Sequence, residues 1–369
     1  MTDRDYMLRA IELARGGLGW TSPNPLVGAV IVKNGRIIGE GYHERCGELH
    51  AERNAIASLT ESAEGATLYV TLEPCCHYGK TPPCTEAILE QKIARVVIGS
   101  RDPNPLVAGK GAAILRAAGV RVEEDFMREE CDALNPVFFH YITKKTPYVV
   151  MKYAMTADGK IAARTGNSKW ITGESARKKV QELRHQYMGI MAGIGTVLAD
   201  DPMLNVRIPG LKSPVRIICD SGLRIPMDSK IVKTAKEYRT IVAYAGEHSG
   251  EGCKETEKKE EQLHAAGVET VSVPDADGRV DLRKLMEYLG KQGIDSVLLE
   301  GGGTLNDAAL SAGIVNEICA FIAPKIFGGA GAKTPVSGIG VAHPAEAVML
   351  TLRQVETIGD DLMLRYSVD

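Results

Sequence analysis

Aromatic residues make up only 5% of this 369-residue chain, and there is no surplus of basic charge: 44 Lys and Arg stand against 47 Asp and Glu. The missing basic excess argues against a nucleic-acid partner, whose binding surface is normally a cluster of positive charge. It leaves room for a local basic pocket that takes a phosphorylated small molecule. No apolar run approaches the ~20 residues that span a bilayer, so no membrane partner is expected. The opening MTDRDYMLRAIELARGG carries charges where a secretory signal needs an apolar stretch, and it reads as a short amphipathic helix. A cytoplasmic, reducing location follows as the expectation, and disulfides are rare there. The length favours two domains.

Against these absences stand eight cysteines. Four of them, Cys46, Cys75, Cys76 and Cys84, fall in one short region. Clustered cysteines in a cytosolic chain read as metal ligands or catalytic groups before they read as disulfides.

The first half alternates helix and strand signals. VGAVIVKNGRIIGEGYH holds two apolar runs around Asn34-Gly35, a hairpin signal. HAERNAIASL, CTEAILEQ and GAAILRAAG read as helices, and ATLYVTLEP, ARVVIGSRDP and VRVEED as strands. The pattern predicts an α/β sandwich with one mixed sheet. The pentapeptide PNPLV occurs twice, at 23–27 and 103–107. Residues 140–148, HYITKKTPY, read as a linker between domains 1–145 and 146–369. The second half has its own strand series, from PYVVMKYAM through GIMAGIG, VRIICD, TIVAYAG and DSVLLEGGG to EICAFIAPKI. Residues 246–263 read as a charged, solvated surface segment.

Two short stretches carry chemistry. HAE places His50 two residues before Glu52. In mid-helix these side chains diverge by about 200°, so they share a site only if His50 sits at the helix start. The second stretch is TLEPCCHYGKTPPC, residues 71–84. Pro74 suggests a helix beginning there, with the Cys75 thiol at its positive end. Cys84 follows Pro82-Pro83 and opens another helix. Gly79 and Pro82 should loop the intervening residues out. His50, Cys75 and Cys84 then offer one nitrogen and two thiolates, leaving a fourth tetrahedral position of zinc open. Glu52 is suited to carry a proton between water and a leaving amine. A closed structural zinc site, with Cys76 as fourth ligand, is the competing reading.

H-x-E followed by P-C and a further Cys resembles the zinc-dependent nucleoside and nucleobase deaminases. The spacing departs from P-C-x-x-C, because residue 78 is Tyr and the second thiol is Cys84. With NPLVGAV, GYH, HAE, TLEPCCHYGKTPPC and RDPNPLVAGKG, the chain resembles one branch, the bifunctional deaminase–reductase family of the riboflavin pathway. The resemblance implies a cytidine-deaminase-like α/β/α sandwich with a mixed sheet, and one Zn2+ per chain. It implies a 2-amino pyrimidine substrate bearing a ribose 5′-phosphate, contacted by Asn24, His43, His77, Lys80 and Asn104. Lys80 is the expected phosphate contact, and both PNPLV loops are expected to face the pocket.

In the second half, LLEGGGTL is strand, glycine turn and helix, suited to receive a phosphate on backbone N–H groups. It is neither a P-loop nor a G-x-G-x-x-G fingerprint. KYAMTADGKIA, GNSKWIT, AGIGTVLADDP, LNVR and LLEGGGTL resemble the reductase half of the same family. That implies a dihydrofolate-reductase-like α/β domain using NADPH. By motif position Ala154, Trp170, Thr196, Asp200, Ser221, Gly302, Gly303, Thr304, Leu305 and Asn306 hold the cofactor. Lys152, Ser168, Arg184, Leu204, Arg207 and Glu300 hold the substrate, with Arg184 and Arg207 expected to grip its phosphate. A homo-oligomer, dimer or tetramer, is expected. The alternatives are a nucleic-acid or nucleoside deaminase with a separate binding domain, and a zinc-stabilised NADPH-binding regulator without turnover.

Overall fold

In this computed structural model the chain divides into two compact units, residues 1–145 and 146–369. All residues are described except 79–81, 105–106 and 247–252 and the side chain of Cys253.

In the first unit, helix α1 (Asp3–Ala14) precedes the hairpin β1 (Gly28–Lys33) and β2 (Arg36–Tyr42). Asn34 and Gly35 take the positive φ values, 51° and 74°, that the tight turn demands. Then follow α2 (Ala51–Ala57), β3 (Thr67–Leu72), α3 (Cys84–Glu90), β4 (Arg95–Ser100), α4 (Lys110–Ala117), β5 (Arg121–Glu123), α5 (Arg128–Asp132) and α6 (Pro136–Lys144). The sheet order is β2-β1-β3-β4-β5, antiparallel in its first two pairings and parallel after them. Met7, Ala10 and Cys131 seal one face from α1 and α5. Ala51, Ala55, Ile88, Leu115 and Phe138 seal the other from α2, α3, α4 and α6. This is the expected α/β/α sandwich with a mixed sheet. Gly28 is needed because a Cβ there would lie 1.9 Å from the Ala10 carbonyl oxygen, so α1 rests directly on the β1 backbone.

The second unit contains β6 (Tyr148–Thr156), α7 (Glu174–Gln186), β7 (Gly189–Gly193), α8 (Ile194–Asp200), β8 (Val215–Cys219), α9 (Lys230–Lys233) and β9 (Thr240–Tyr244). It continues with α10 (Cys253–Ala265), β10 (Val268–Ser272), α11 (Leu282–Lys291), β11 (Ser296–Leu299), α12 (Gly303–Ser311), β12 (Glu317–Ala323), β13 (Leu350–Ile358) and β14 (Asp361–Val368). Strands β10-β9-β8-β7-β11-β6-β12 run parallel, and β14 and β13 close the order antiparallel. Parallel strands are buried on both faces, which is why Val149, Met191, Ile217, Ile241 and Val297 are all fully buried.

Two expectations need correction. HYIT belongs to helix α6, not to a linker, because Phe139 and Ile142 continue an apolar face onto the first unit's core. And residues 73–78 form no helix: the Cys75 carbonyl instead accepts the Cys84 and Thr85 N–H groups, closing the first turn of α3. Among the described residues, no helix is long and apolar enough to cross a membrane.

Candidate active sites

Sheet topology gathers the first site. β3 and β4 are parallel, so the segments that follow them, 73–78 and 101–104, emerge at one edge. β1 runs the other way, which brings residues 24–27 to that edge, and Tyr42 at the end of β2 pairs with Gly28 there. A ligand pocket at the carboxyl ends of strands is the general rule for open α/β sheets. Here it is a cavity of about 300 Å³ whose lining includes Asn24, His43, His50, Glu52, Cys75, His77 and Asn104. Both PNPLV loops therefore contribute to one pocket. Lys80 lies outside the described residues.

His50 is the N-cap of α2, with extended backbone, so its ring need not follow the helical spiral. That release lets His50 and Glu52 meet one site. His50 Nδ1 lies 3.4 Å from both Cys75 Sγ and Cys84 Sγ. The donor atoms of these three residues all lie within 4.8 Å of one another. Cys76 is not in this group; burial pushes its thiol up. Cys75 receives its hydrogen bonds from α3 rather than from a helix of its own, including the Cys84 N–H at 3.3 Å. Hydrogen bonding from the Cys84 thiol, then from His50 and the Cys84 N–H, outweighs burial and holds the Cys75 thiol down at about 4. Cys84 moves the opposite way, because it shares the proton with Cys75 and is buried. Arg53 donates to the Pro82 and Pro83 carbonyls at 3.2 and 2.9 Å, fixing the turn just ahead of Cys84.

Glu52 is 3% exposed, and burial followed by the Cys75 charge pushes its carboxyl up to about 6. His43 is satisfied on both ring nitrogens. Nδ1–H donates to the Leu49 carbonyl at 2.9 Å, which leaves Nε2 to accept from the Asn24 amide at 3.1 Å. Burial keeps it neutral by lowering its pKa. His43 thus orients Asn24. Two buried acids escaped the sequence reading. Glu73 accepts the Gly109 and Ala112 N–H groups at 2.9 and 3.2 Å, tying the end of β3 to the start of α4. Gly111 permits this close approach, since a Cβ there would lie 2.2 Å from the Pro74 carbonyl oxygen. Asp102 lines the cavity. Its D-x-N spacing to Asn104 was the available signal.

In the second unit, β6 and β11 pair so that Glu300, just beyond Leu299, comes level with Lys152. Arg184 grips Glu300 with both arms of its fork, at 2.7 and 3.0 Å, and Lys152 approaches at 3.4 Å. Burial works to raise the Glu300 carboxyl, but Arg184 and Lys152 outweigh it and hold it down at about 2. The expectation that Arg184 grips a phosphate is therefore corrected: its fork is taken by Glu300, and its remaining arm donates to the Asn205 carbonyl at 3.0 Å. That bond draws the Leu204–Arg207 segment to the triad. Leu204 is buried, with φ +50°, and the Arg207 side chain is exposed. Ser168 and Trp170 lie between β6 and α7, and no described contact joins either to the triad. Trp170 is 60% exposed, stacked under Arg177 at 4.7 Å, and its carbonyl accepts from Lys325 at 3.2 Å.

The glycine turn after β11 faces the turn after the adjacent strand β7. A Cβ on Gly302 would meet only Thr196 Oγ1, at 4.0 Å, so the turn is open at that residue, whereas a Cβ on Gly303 would lie 2.4 Å from Ser337 Oγ. Thr304 and Leu305 continue α12 from it. Asn306 is buried, donates to the Pro335 carbonyl at 2.8 Å, and leaves Oδ1 without a partner. Ala154 lies two residues beyond Lys152 on β6. Asp200 is exposed at the end of α8. Ser221, beyond β8, accepts the Val280 N–H at 3.2 Å.

Comparison with known proteins agrees with this division. Residues 1–100 match the cytidine and deoxycytidylate deaminase zinc-binding region, and residues 147–364 the RibD C-terminal domain. The riboflavin biosynthesis protein RibD of Actinobacillus pleuropneumoniae is 58% identical, over 100% of this chain and 96% of its own. A solved RibD of Acinetobacter baumannii is 37% identical, with a TM-score of 0.87 over 100% of this chain and 99% of that one. A solved Thermotoga maritima protein is 38% identical, with a TM-score of 0.86 over 99% of this chain and 98% of that one. It is described as a diaminohydroxyphosphoribosylaminopyrimidine deaminase/5-amino-6-(5-phosphoribosylamino)uracil reductase. A zinc-binding deaminase fold, a reductase fold and full-length identity far above chance lead to one conclusion: the chain belongs to the RibD family, the bifunctional deaminase–reductases of riboflavin biosynthesis.

Proposed function

We propose that residues 1–145 deaminate a phosphoribosylated diaminopyrimidine and that residues 146–369 then reduce its ribosyl group with NADPH. The observation that carries the first half is the grouping of His50, Cys75 and Cys84 beside a buried Glu52. One nitrogen and two sulfurs, one of them already favoured as thiolate, fit a three-ligand zinc site. Zinc held there supplies the Lewis acidity that makes water nucleophilic near neutral pH. Glu52 takes the proton from water and returns it to the departing amine. A carboxyl raised to about 6 suits both directions of that transfer. Asn24, oriented by His43, and His77 and Asn104 position the ring, and Lys80 meets the phosphate.

In the second unit, Lys152, Arg184 and Glu300 form the polar floor of the reductase substrate site. Ser168 and Leu204 line it, and Arg207 is free to take the phosphate. The turn open at Gly302, with Gly303, Thr304, Leu305 and Asn306, Thr196 opposite, and Ala154, Trp170, Asp200 and Ser221 around it, holds the nucleotide. NADPH supplies the hydride; the protein's share is orientation and exclusion of water. A homo-oligomer is the proposed assembly.

The test is to incubate purified protein with the diaminopyrimidine ribosyl phosphate, with and without NADPH, and follow masses. Amino-to-oxygen exchange should occur in both samples, and a gain of two hydrogens only with NADPH. Deamination without any reduction would refute the second assignment. The metal site has its own test. Arg53→Ala frees the turn before Cys84, and zinc should then bind about tenfold more weakly to the variant in a chelator competition, the usual cost of losing a supporting contact. Equal affinity would mean that the turn holds itself.

A further inference from the structure

Asp102 is a buried carboxylate that the mechanism above leaves without work. It follows β4 and is 8% exposed. Its Oδ1 accepts the Asn104 N–H at 2.8 Å, an Asx turn that shapes the 101–104 bend. Its Oδ2 has no hydrogen-bond partner among the described residues. Asp102 nevertheless lines the same cavity as Glu52, Cys75 and Asn104. His77, also on that lining, has Nδ1 buried without a partner. An ionised carboxylate has about four acceptor sites, so one donor leaves most of them open. Burial pushes the carboxyl up to about 6, as expected of an anion short of donors. A carboxylate that lines the cavity and has a single described donor points to a ligand that supplies more.

We propose that Asp102 is a substrate-recognition residue of the deaminase, its free oxygen accepting an N–H donor of the aminopyrimidine ring. This rests on the deaminase reading of the first unit. The chemistry is selective. A carboxylate can only accept, so it repels ring carbonyls and phosphate and favours a base edge rich in N–H. An aminopyrimidinone carries such an edge, in its amino groups and its protonated ring nitrogen. A pyrimidine presenting an oxygen at that place leaves two buried acceptors facing each other, the kind of mismatch that binding sites reject most strongly.

Asp102→Asn separates this role from the turn. Asn keeps the volume and an oxygen for the Asn104 N–H, and replaces the free acceptor by a donor. The expected result is a fall in deaminase kcat/KM of roughly 30- to 100-fold, carried mainly by KM, from loss of one charge-assisted hydrogen bond. Zinc content and reductase rate stay unchanged. Asp102→Ala, which loses the turn bond as well, falls at least as far. If the Asn variant matches the wild type while the Ala variant fails, Asp102 only shapes the bend and the proposal is overturned. Ribose 5-phosphate serves as an inhibitor lacking the base. It should inhibit the Asn variant as well as, or better than, the wild type. Weaker inhibition would assign the carboxylate to ribose hydroxyls and overturn the ring contact. If zinc-loaded wild-type protein leaves the substrate mass unchanged, the deaminase reading and this proposal fall together.

Discussion

Glu52→Gln should stop deamination and nothing else. The change removes one proton-carrying oxygen and keeps the shape of the side chain. General acid–base catalysis by a positioned carboxyl contributes typically 10²–10⁴-fold, and in the proposed mechanism Glu52 serves both proton transfers, so a loss of about 10³-fold or more is expected. Glu52 lies outside the proposed ligand set, since the grouped donors are His50, Cys75 and Cys84. Zinc content by elemental analysis should therefore stay at the wild-type level. The change also removes a buried acid whose charge is disfavoured by burial, so folding stability should hold or rise. The second unit contains its own sheet and core, and reduction of separately supplied deaminated intermediate should continue at the wild-type rate. A variant that deaminates normally would remove Glu52 from the mechanism. A variant that loses zinc would make it a structural support of the site.

Glu300→Gln should have the largest effect in the second unit. In the wild type, one carboxylate neutralises Arg184 and faces Lys152, with all three side chains between 11% and 13% exposed. Removing one partner from a buried ion network leaves the others charged and unpaired, at a cost of roughly 3–5 kcal/mol. The second unit's unfolding midpoint should fall accordingly in a denaturant titration followed by tryptophan fluorescence at Trp170. Reduction should be lost with it, since Arg184 no longer holds the Leu204–Arg207 segment through a fixed guanidinium. The pH dependence gives an independent reading. A carboxyl held at about 2 in the folded protein is depressed below its unfolded value, near 4.3. Its contribution is fully present above the unfolded value and is lost as pH falls toward about 2. The Gln variant should lack that part of the acid transition. An unchanged midpoint and acid profile would show that the three groups do not act as one network.

Much of the first unit was legible in order. Two apolar runs around Asn34-Gly35 made the hairpin legible, because a two-residue turn with two positive φ values leaves few alternatives. The grouping of His50, Cys75 and Cys84 was legible because thiols and imidazole at those spacings have few other uses. Other features resisted. HYIT was mistaken for a linker because its lysines and proline follow so closely, and only packing of Phe139 and Ile142 reveals the helix. The helix expected at Pro74 did not form, because the Cys75 carbonyl is committed to α3. The terminal hairpin β13–β14 went unread. Its first strand is an exposed edge without the alternation that marks a half-buried strand.

The sequence by itself determined the local elements, the two-unit plan and the residue types able to bind a metal and move a proton. Those properties live in short windows, where spacing, turn chemistry and side-chain chemistry act directly. Tertiary structure alone decided which groups share an environment. It paired Arg184 with Glu300, 116 residues apart, so that the guanidinium is spent on a carboxylate. It turned Asn24 toward the cavity through His43, and it buried Asp102 on the cavity lining. Burial, charge pairing and unmet hydrogen bonds depend on distances across the fold, and strand order sets those distances.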